Sequence, residues 1–270
     1  MADRPIIFSG PMVRALLDGR KSQTRRVLKL EKYAETLAGY SSTGRLVNYY
    51  GDHRVGLEFV CDTHGLWNPD TNPDGSSGWC VPISYSVRDR LWVREAWRIP
   101  YMDNIYSPSD IAAHAIEAGY SSPWSAIEYM ADGERVNWKP VFGDPGRIRT
   151  GMHMPRWASR LTLIVTDVRV QRLQDISEQD ALAEGVRRIG AEYISRGSKA
   201  WDDGPNFYAA DVEFGSLNAP TAAGAYQMLW DCLNADRGYG WDTNPWVVAL
   251  TFDVVKANID ALDLAEEREG

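Results

Sequence analysis

Gly19-Arg20-Lys21-Ser22-Gln23-Thr24-Arg25-Arg26 follows a short amphipathic stretch, Pro11-Met12-Val13-Arg14-Ala15-Leu16-Leu17-Asp18. Ser9 suits the N-cap of a helix there, Pro11 its first turn and Gly19 its C-terminal stop. Upstream, Pro5-Ile6-Ile7-Phe8 reads as a first strand; downstream, Thr24 to Leu30 reads as a second. The octet is then expected as an exposed turn that carries a lysine, hydroxyls and arginines. Lys21 and Thr24 are three residues apart. In a tight turn their side chains meet, and an amine beside a hydroxyl is a workable base and nucleophile. A solvated basic turn accounts for the same residues without chemistry.

The clearest strand lies further on, at residues 87–98, Val-Arg-Asp-Arg-Leu-Trp-Val-Arg-Glu-Ala-Trp-Arg. Alternation puts Leu91, Val93, Glu95 and Trp97 on one face and Trp92, Arg94, Ala96 and Arg98 on the other. A carboxylate at Glu95 among apolar neighbours is unfavourable unless it is paired or does chemistry. Leu161–Gln171 reads as another strand, with a change of face near Asp167 that suggests a bulge. Ser177 caps a short helix that Gly185 ends, and Asp180 takes the capping-box position. Thr221 caps a helix to about Asn234 with Ala225, Met228, Leu229, Cys232 and Leu233 as its apolar stripe. Trp246–Val255 is the last strand.

Three long stretches lack this regularity. Residues 31–80 read as an excursion with one hairpin at Arg45–Tyr50 and Gly56–Cys61. Residues 101–145 read as partly helical near Ser109–Ala118 and Trp124–Met130, and residues 186–219 as a third excursion rich in Gly, Asp and Asn. The expected organisation is one domain over residues 1–257 with insertions at about 31–80, 101–145 and 186–219, then a frayed acidic tail at 258–270. The class is α+β: a small, mostly antiparallel β-barrel decorated with helices and long loops.

The chain has 270 residues and a net charge of −8, unevenly spread. Residues 1–30 carry seven Lys/Arg against two acids, and residues 147–172 six Arg against one Asp, whereas residues 173–270 carry eighteen acids against seven bases. Two basic segments in an acidic protein either form one anion-binding face or pair with the acidic third. Three cysteines, an absent signal-peptide pattern and no apolar run of about 20 residues point to a cytoplasmic chain, not a membrane protein. Cys61-x-x-His64, with Cys80 and His53 near, has a loose zinc-like spacing; unrelated loop residues explain it better. No metal or other cofactor is expected.

Several of these stretches carry a resemblance. Gly19-x-Lys21-x-x-Thr24-x-Arg26 resembles the signature of the ASCH domain, a barrel related to the PUA RNA-binding fold. The whole chain is similar to phage and prophage ASCH-like proteins. Matching stretches run from Pro5–Val13 and Gln23–Arg26 through Asp89–Glu95, His153–Arg160 and Asp175–Gly185 to Asn244–Val247. One departure is Arg88, where the family has Gly before Asp-Arg-Leu-Trp.

Small bacterial members are amidohydrolases acting on N4-acetylcytidine and related acylated cytosines. The resemblance therefore implies Lys21 as base, Thr24 as nucleophile, Glu95 as acid or orienter, and Arg25 or Arg26 as anion stabiliser. Arg156, Trp157 and Arg160 are candidate substrate contacts. The implied partner is a modified nucleoside or a nucleic acid, RNA before DNA. The alternative function is a PUA-like nucleic-acid-binding module without chemistry.

Overall fold

Alternating burial organises the centre of the molecule. Leu91, Val93, Glu95 and Trp97 are all buried, while Trp92, Arg94, Ala96 and Arg98 are half-buried, as the pleat requires. The structure, a computed structural model, describes residues 2–30, 40–49, 54–61, 79–108, 110–117, 127–133, 144–189, 207–213 and 215–262.

In chain order the elements are β1 (Asp3–Ile7), α1 (Gly10–Leu17), β2 (Gln23–Val27), β3 (Tyr40–Tyr49), β4 (Arg54–Cys61) and β5 (Trp79–Pro82). Next come β6 (Arg90–Arg94), β7 (Trp97–Arg98), α2 (Asp110–Glu117), β8 (Glu128–Tyr129), β9 (Thr162–Arg172) and α3 (Glu178–Ala183). The chain continues through β10 (Arg187–Ile189), β11 (Phe207–Val212), β12 (Gly215–Ala219), α4 (Ala222–Asn234) and β13 (Trp246–Val255).

The class is α+β, built on a mixed five-stranded sheet in the order β1-β6-β9-β13-β2. β1 and β6 run parallel and the other neighbours antiparallel. The longest ladder joins β9 to β13, and its register shifts between Thr251, opposite Asp167, and Phe252, opposite Val165. Thr166 is the extra residue of a bulge, which leaves Thr166 and Asp167 successively exposed before Val168 turns inward. The face change read near Asp167 is this bulge.

Barrel closure is not seen: among the described residues no backbone ladder joins edge strands β1 and β2. The sheet nevertheless curves until both edges line one cavity of about 460 Å³, with Ile6 and Ile7 from β1 and Arg26 and Val27 from β2. An Arg26 guanidinium spans the gap, its Nη2 donating to the Ile7 carbonyl at 2.8 Å.

Val13 and Leu16 of α1 pack with Leu91, Leu163, Leu250 and Phe252 in the principal core. Ser9 precedes α1 in an extended conformation, but its side chain makes no capping bond. Ser177 and Thr221 do cap α3 and α4, accepting from the N–H groups of Asp180 and Gly224. The stripe expected on α4 is rotated: Ala222, Ala225, Tyr226, Leu229 and Trp230 are buried, whereas Met228, Leu233 and Cys232 are exposed. Tyr226 and Trp230 carry the larger surfaces, and they set which side turns inward.

The excursions hold more structure than alternation reveals. β3, β4 and β5 form a three-stranded antiparallel sheet around the expected hairpin. Residues 186–219 include a second such sheet, β10-β11-β12, rather than loop alone. Of the helix expected at Trp124–Met130, the described part, from Ile127 on, is instead β8, paired with β7, followed by a 3₁₀ turn at Met130–Asp132. Glu128 is drawn there by Arg98, whose Nε and Nη2 donate to its carboxylate at 2.9 and 2.7 Å. The start of the tail is docked, not frayed: Ile259 is buried, and the Asn258 amide donates to the carbonyls of Arg156 and Ser159. His53 and His64, and the side chains of Cys61 and Cys80, lie outside the described residues. No helix among the described residues is long and apolar enough to cross a membrane.

Arg88 enters β6 at φ +72°, in the left-handed region. Its N–H donates to the Val165 carbonyl at 2.7 Å, so the turn is fixed by the sheet and the side chain bears the strain. Replacing Arg88 by Gly relieves that strain, partly offset by the greater freedom of unfolded glycine. Arg88→Gly is expected to gain about 0.5–1 kcal/mol of stability in urea unfolding and Arg88→Val to lose at least as much. Equal stability of all three proteins would contradict strain at this turn.

Candidate active site

Two glycines bring the site together. Gly19, at φ +72°, reverses the chain after α1, so the N–H groups of Arg20 and Lys21 both reach the Ala15 carbonyl, at 2.9 and 3.0 Å. Gly185, at φ +103°, ends α3 against the same turn; a Cβ there would lie 3.1 Å from Ala15 Cβ. Only glycine combines that conformation with that approach. The Ser22 N–H then donates to Ala183 O at 2.8 Å, and Lys21 bridges to Glu184 through the backbone.

The octet is therefore not an exposed turn. Lys21 is 1% exposed, and Thr24 and Arg25 are buried as well. Lys21 Nζ donates to the Glu184 carbonyl at 2.8 Å and to Glu184 Oε2 at 2.7 Å. Glu184 Oε1 accepts from Arg25 Nη1 at 3.0 Å, and Arg25 Nη2 pairs with Asp180 Oδ2 at 3.0 Å. The Tyr226 ring, on α4, lies close enough for the Glu184 charge to act on its hydroxyl. One carboxylate thus ties β2 to the end of α3.

Burial pulls the Lys21 amine below its ordinary pKa; the charge and hydrogen bond of Glu184 work against that, while Arg26 and Arg25 reinforce it. Burial likewise raises Tyr226 well above the usual phenol value, with Glu184 adding to the effect, so Tyr226 remains a neutral donor.

Alternation along β2 sends Gln23 and Arg25 toward α3, where Arg25 also donates to Gln23 Oε1 at 3.2 Å. Thr24 and Arg26 fall on the opposite face, toward β1. No hydrogen bond joins Lys21 to Thr24 among the described residues; the chain is extended where a tight turn was expected, because residues 23–27 pair with β13. Thr24 instead faces a cavity of about 880 Å³, whose walls include Arg25, Arg26 and Glu184 and the aromatic side chains of Phe8, Tyr226, Trp230 and Tyr239. Lys21 lies behind this wall, with Nζ 5.6 Å from the centre of the Phe8 ring.

The structure does not bring Glu95 to Lys21. Both Glu95 oxygens accept from Arg160, from Nε at 2.9 Å and Nη2 at 3.0 Å. Arg160 also donates to Asp132 at 2.9 and 2.7 Å and lies 4.0 Å from the Tyr129 ring centre. Burial raises the Glu95 pKa, Arg160 opposes the rise and Asp132 adds to it. The charges that act on Lys21 are those of Glu184, Arg26 and Arg25.

The basic segment around Arg156 is neutralised in the same way. Arg156 Nη2 pairs with Asp3 at 2.6 Å and with Asp260 at 2.7 Å. Trp157 packs edge-on against Trp97 at 6.3 Å and donates to the Pro108 carbonyl. Arg156, Trp157 and Arg160 line neither cavity, so the two basic segments of the sequence do not make one face there.

The sequence assigns no site role to Glu184 or Tyr226, and to Asp180 only the capping-box position of α3. One signal was available: Glu184 follows the last turn of α3, where the helix dipole disfavours negative charge, so a nearby cation is required. No family model, curated protein or solved structure matches the chain.

Removing the shared carboxylate strands two buried cations. Glu184→Gln is expected to lose about 3–5 kcal/mol in denaturant unfolding. Adding Lys21→Met to it should recover part of that loss, because the two residues are coupled. A loss below about 1 kcal/mol for the single variant would show that the pair does not hold the site.

Asp3 is held below the usual carboxylate range by its hydrogen bond to Arg90 and, after an opposing burial effect, by Arg156. A depressed folded value means that the unfolded chain binds more protons, so this stabilisation is present above the ordinary aspartate value of 3.8 and fades as pH falls below it. Asp3→Asn should be less stable than wild type at neutral pH, and the difference should shrink through that acid range in urea titrations. A pH-independent difference would refute the linkage.

Proposed function

We propose that this protein is a cofactor-free amidohydrolase acting on an acylated or otherwise modified nucleobase or nucleoside, of the N4-acetylcytidine kind. One observation carries the reading: Thr24 and Glu184 face the same aromatic and arginine-lined cavity, with a fully desolvated Lys21 fixed behind Glu184. A volume of about 880 Å³ lies within the range of small-molecule sites, roughly 300–1,000 Å³. Phe8, Tyr226 and Trp230 offer apolar surface for a base, and the resemblance to the ASCH family supports the substrate class.

In the proposed reaction Thr24 Oγ attacks the acyl carbon and its proton passes to the Lys21–Glu184 pair. Glu184 takes the carboxylate role first assigned to Glu95. Arg25 supplies positive charge beside the developing oxyanion. Collapse of the tetrahedral intermediate breaks the C–N bond, and the departing amine takes the proton back. Water then attacks the threonyl ester, with the same pair as base, to release the carboxylic acid and restore Thr24.

A second reading, a non-catalytic nucleic-acid-binding module, draws on a different fact: Arg25 and Lys21 already occupy both Glu184 oxygens. Turnover separates the two. Wild type treated with chelator is expected to release acetate from N4-acetylcytidine or another N-acylated nucleoside. Thr24→Ala should abolish release, and Lys21→Ala should reduce it by about 100- to 10,000-fold. A full panel left intact by folded wild type, with binding retained, would establish the second reading instead.

A further inference from the structure

The geometry points to a phosphate-bearing ligand: we propose that Arg26, Lys29 and Arg237 form a phosphate subsite beside the base-binding cavity. The substrate is then a nucleotide, free or within a strand, rather than a bare nucleoside. This rests on the amidohydrolase reading for the base, but not for the phosphate.

Among the described residues Arg20, Arg25, Arg90, Arg98, Arg156, Arg160 and Arg187 each have a carboxylate partner. Arg26, Lys29 and Arg237 make no ion pair among the described residues, yet all three line the larger cavity. Glu184 is the one carboxylate on its described walls, and it is already neutralised by Lys21 and Arg25. Unpaired cations gathered at a concave surface focus positive potential and favour an anion.

The placement fits a phosphate next to a base. Arg26 and Lys29 also line the smaller cavity between the sheet edges, together with Ile7 and Val27, so they stand where the two cavities meet. Arg26 is oriented by two contacts, its bond to the Ile7 carbonyl and its position 5.2 Å from the Phe8 ring centre. Its buried Nε has no partner. Lys29 and Arg237 are exposed, so they reach a charged group without leaving water. A base beside Thr24 places its sugar phosphate at this junction, and a strand continues into the smaller cavity, past Tyr85.

The test measures binding to Thr24→Ala, which keeps bound ligand intact. N4-acetylcytidine, its 5′-monophosphate and a short single-stranded oligonucleotide containing it are compared across a salt titration. The phosphate-bearing ligands should bind about tenfold tighter or more than the nucleoside. Their log affinity should fall with log salt, by about 0.7 per phosphate contact for the strand. Lys29→Gln with Arg237→Gln, both at exposed positions, should remove most of that advantage; Arg26→Gln should act in the same direction. A mononucleotide that matches the oligonucleotide identifies a free nucleotide as the source, and a tighter, more salt-sensitive oligonucleotide identifies a strand. Equal affinity for nucleoside and nucleotide, or an advantage untouched by the variants, would overturn the proposal. Ribose 5-phosphate binding to wild type, lost in the Lys29/Arg237 variant, is the separate readout: if it holds while no acylated nucleoside is hydrolysed, the phosphate subsite stands and the reaction fails.

Discussion

Lys21 and Glu184 form an ion pair that has almost no access to water, and the geometry around β2 depends on it. Taking an ammonium and a carboxylate out of water costs several kcal/mol each, and their attraction offsets this only when the remaining hydrogen bonds are also made. Here they are. The Glu184 carboxylate accepts from Lys21 and Arg25, and its own carbonyl accepts from Lys21 as well. The contribution is one of position more than of net stability. A slip of α3 by one residue would leave two buried cations facing no carboxylate, so the pair fixes where α3 ends.

The same constraint explains why a cavity exists at the edge of the sheet. An edge strand presents unpaired backbone groups, and proteins cover or blunt such edges. β2 is covered by α3 and α4 on the Glu184 side, while toward β1 an arginine side chain replaces the ladder that would close the barrel. A backbone ladder there would have filled the junction. With a guanidinium in its place, the gap stays open, lined by cations and by the rings of Phe8, Tyr226 and Trp230.

Legibility in the sequence followed the range of the forces involved. β6, β9 and β13 were readable because alternation is a local pattern, and even the bulge at Thr166 left its mark as two successive polar residues. The caps at Ser177 and Thr221 were readable for the same reason. β8 and β10–β12 were not: they are short, carry mixed side chains, and owe their pairing to neighbours distant in sequence. Glu184 lies 163 residues from Lys21, and nothing local joins them. The count of arginines in residues 147–172 misled because charge in sequence says nothing of pairing in space; Arg156 and Arg160 spend their charge on Asp3, Asp260, Glu95 and Asp132.

Glu95 and Glu184 show how one chemical problem reaches two ends. Each is nearly inaccessible, and each is met by an arginine. Arg160 approaches Glu95 as a two-pronged fork and fills both oxygens, then continues to Asp132 and stacks on Tyr129. That arrangement buckles the end of β6 to the turn at Met130–Asp132 and opens onto neither cavity. Glu184 receives one bond from Arg25 of β2 and one from Lys21 just ahead of that strand, a different oxygen accepting each. Glu184 lines the larger cavity together with Thr24, whereas Glu95 lines neither cavity. Burial alone therefore does not tell the two carboxylates apart; the cavity that only one of them borders does.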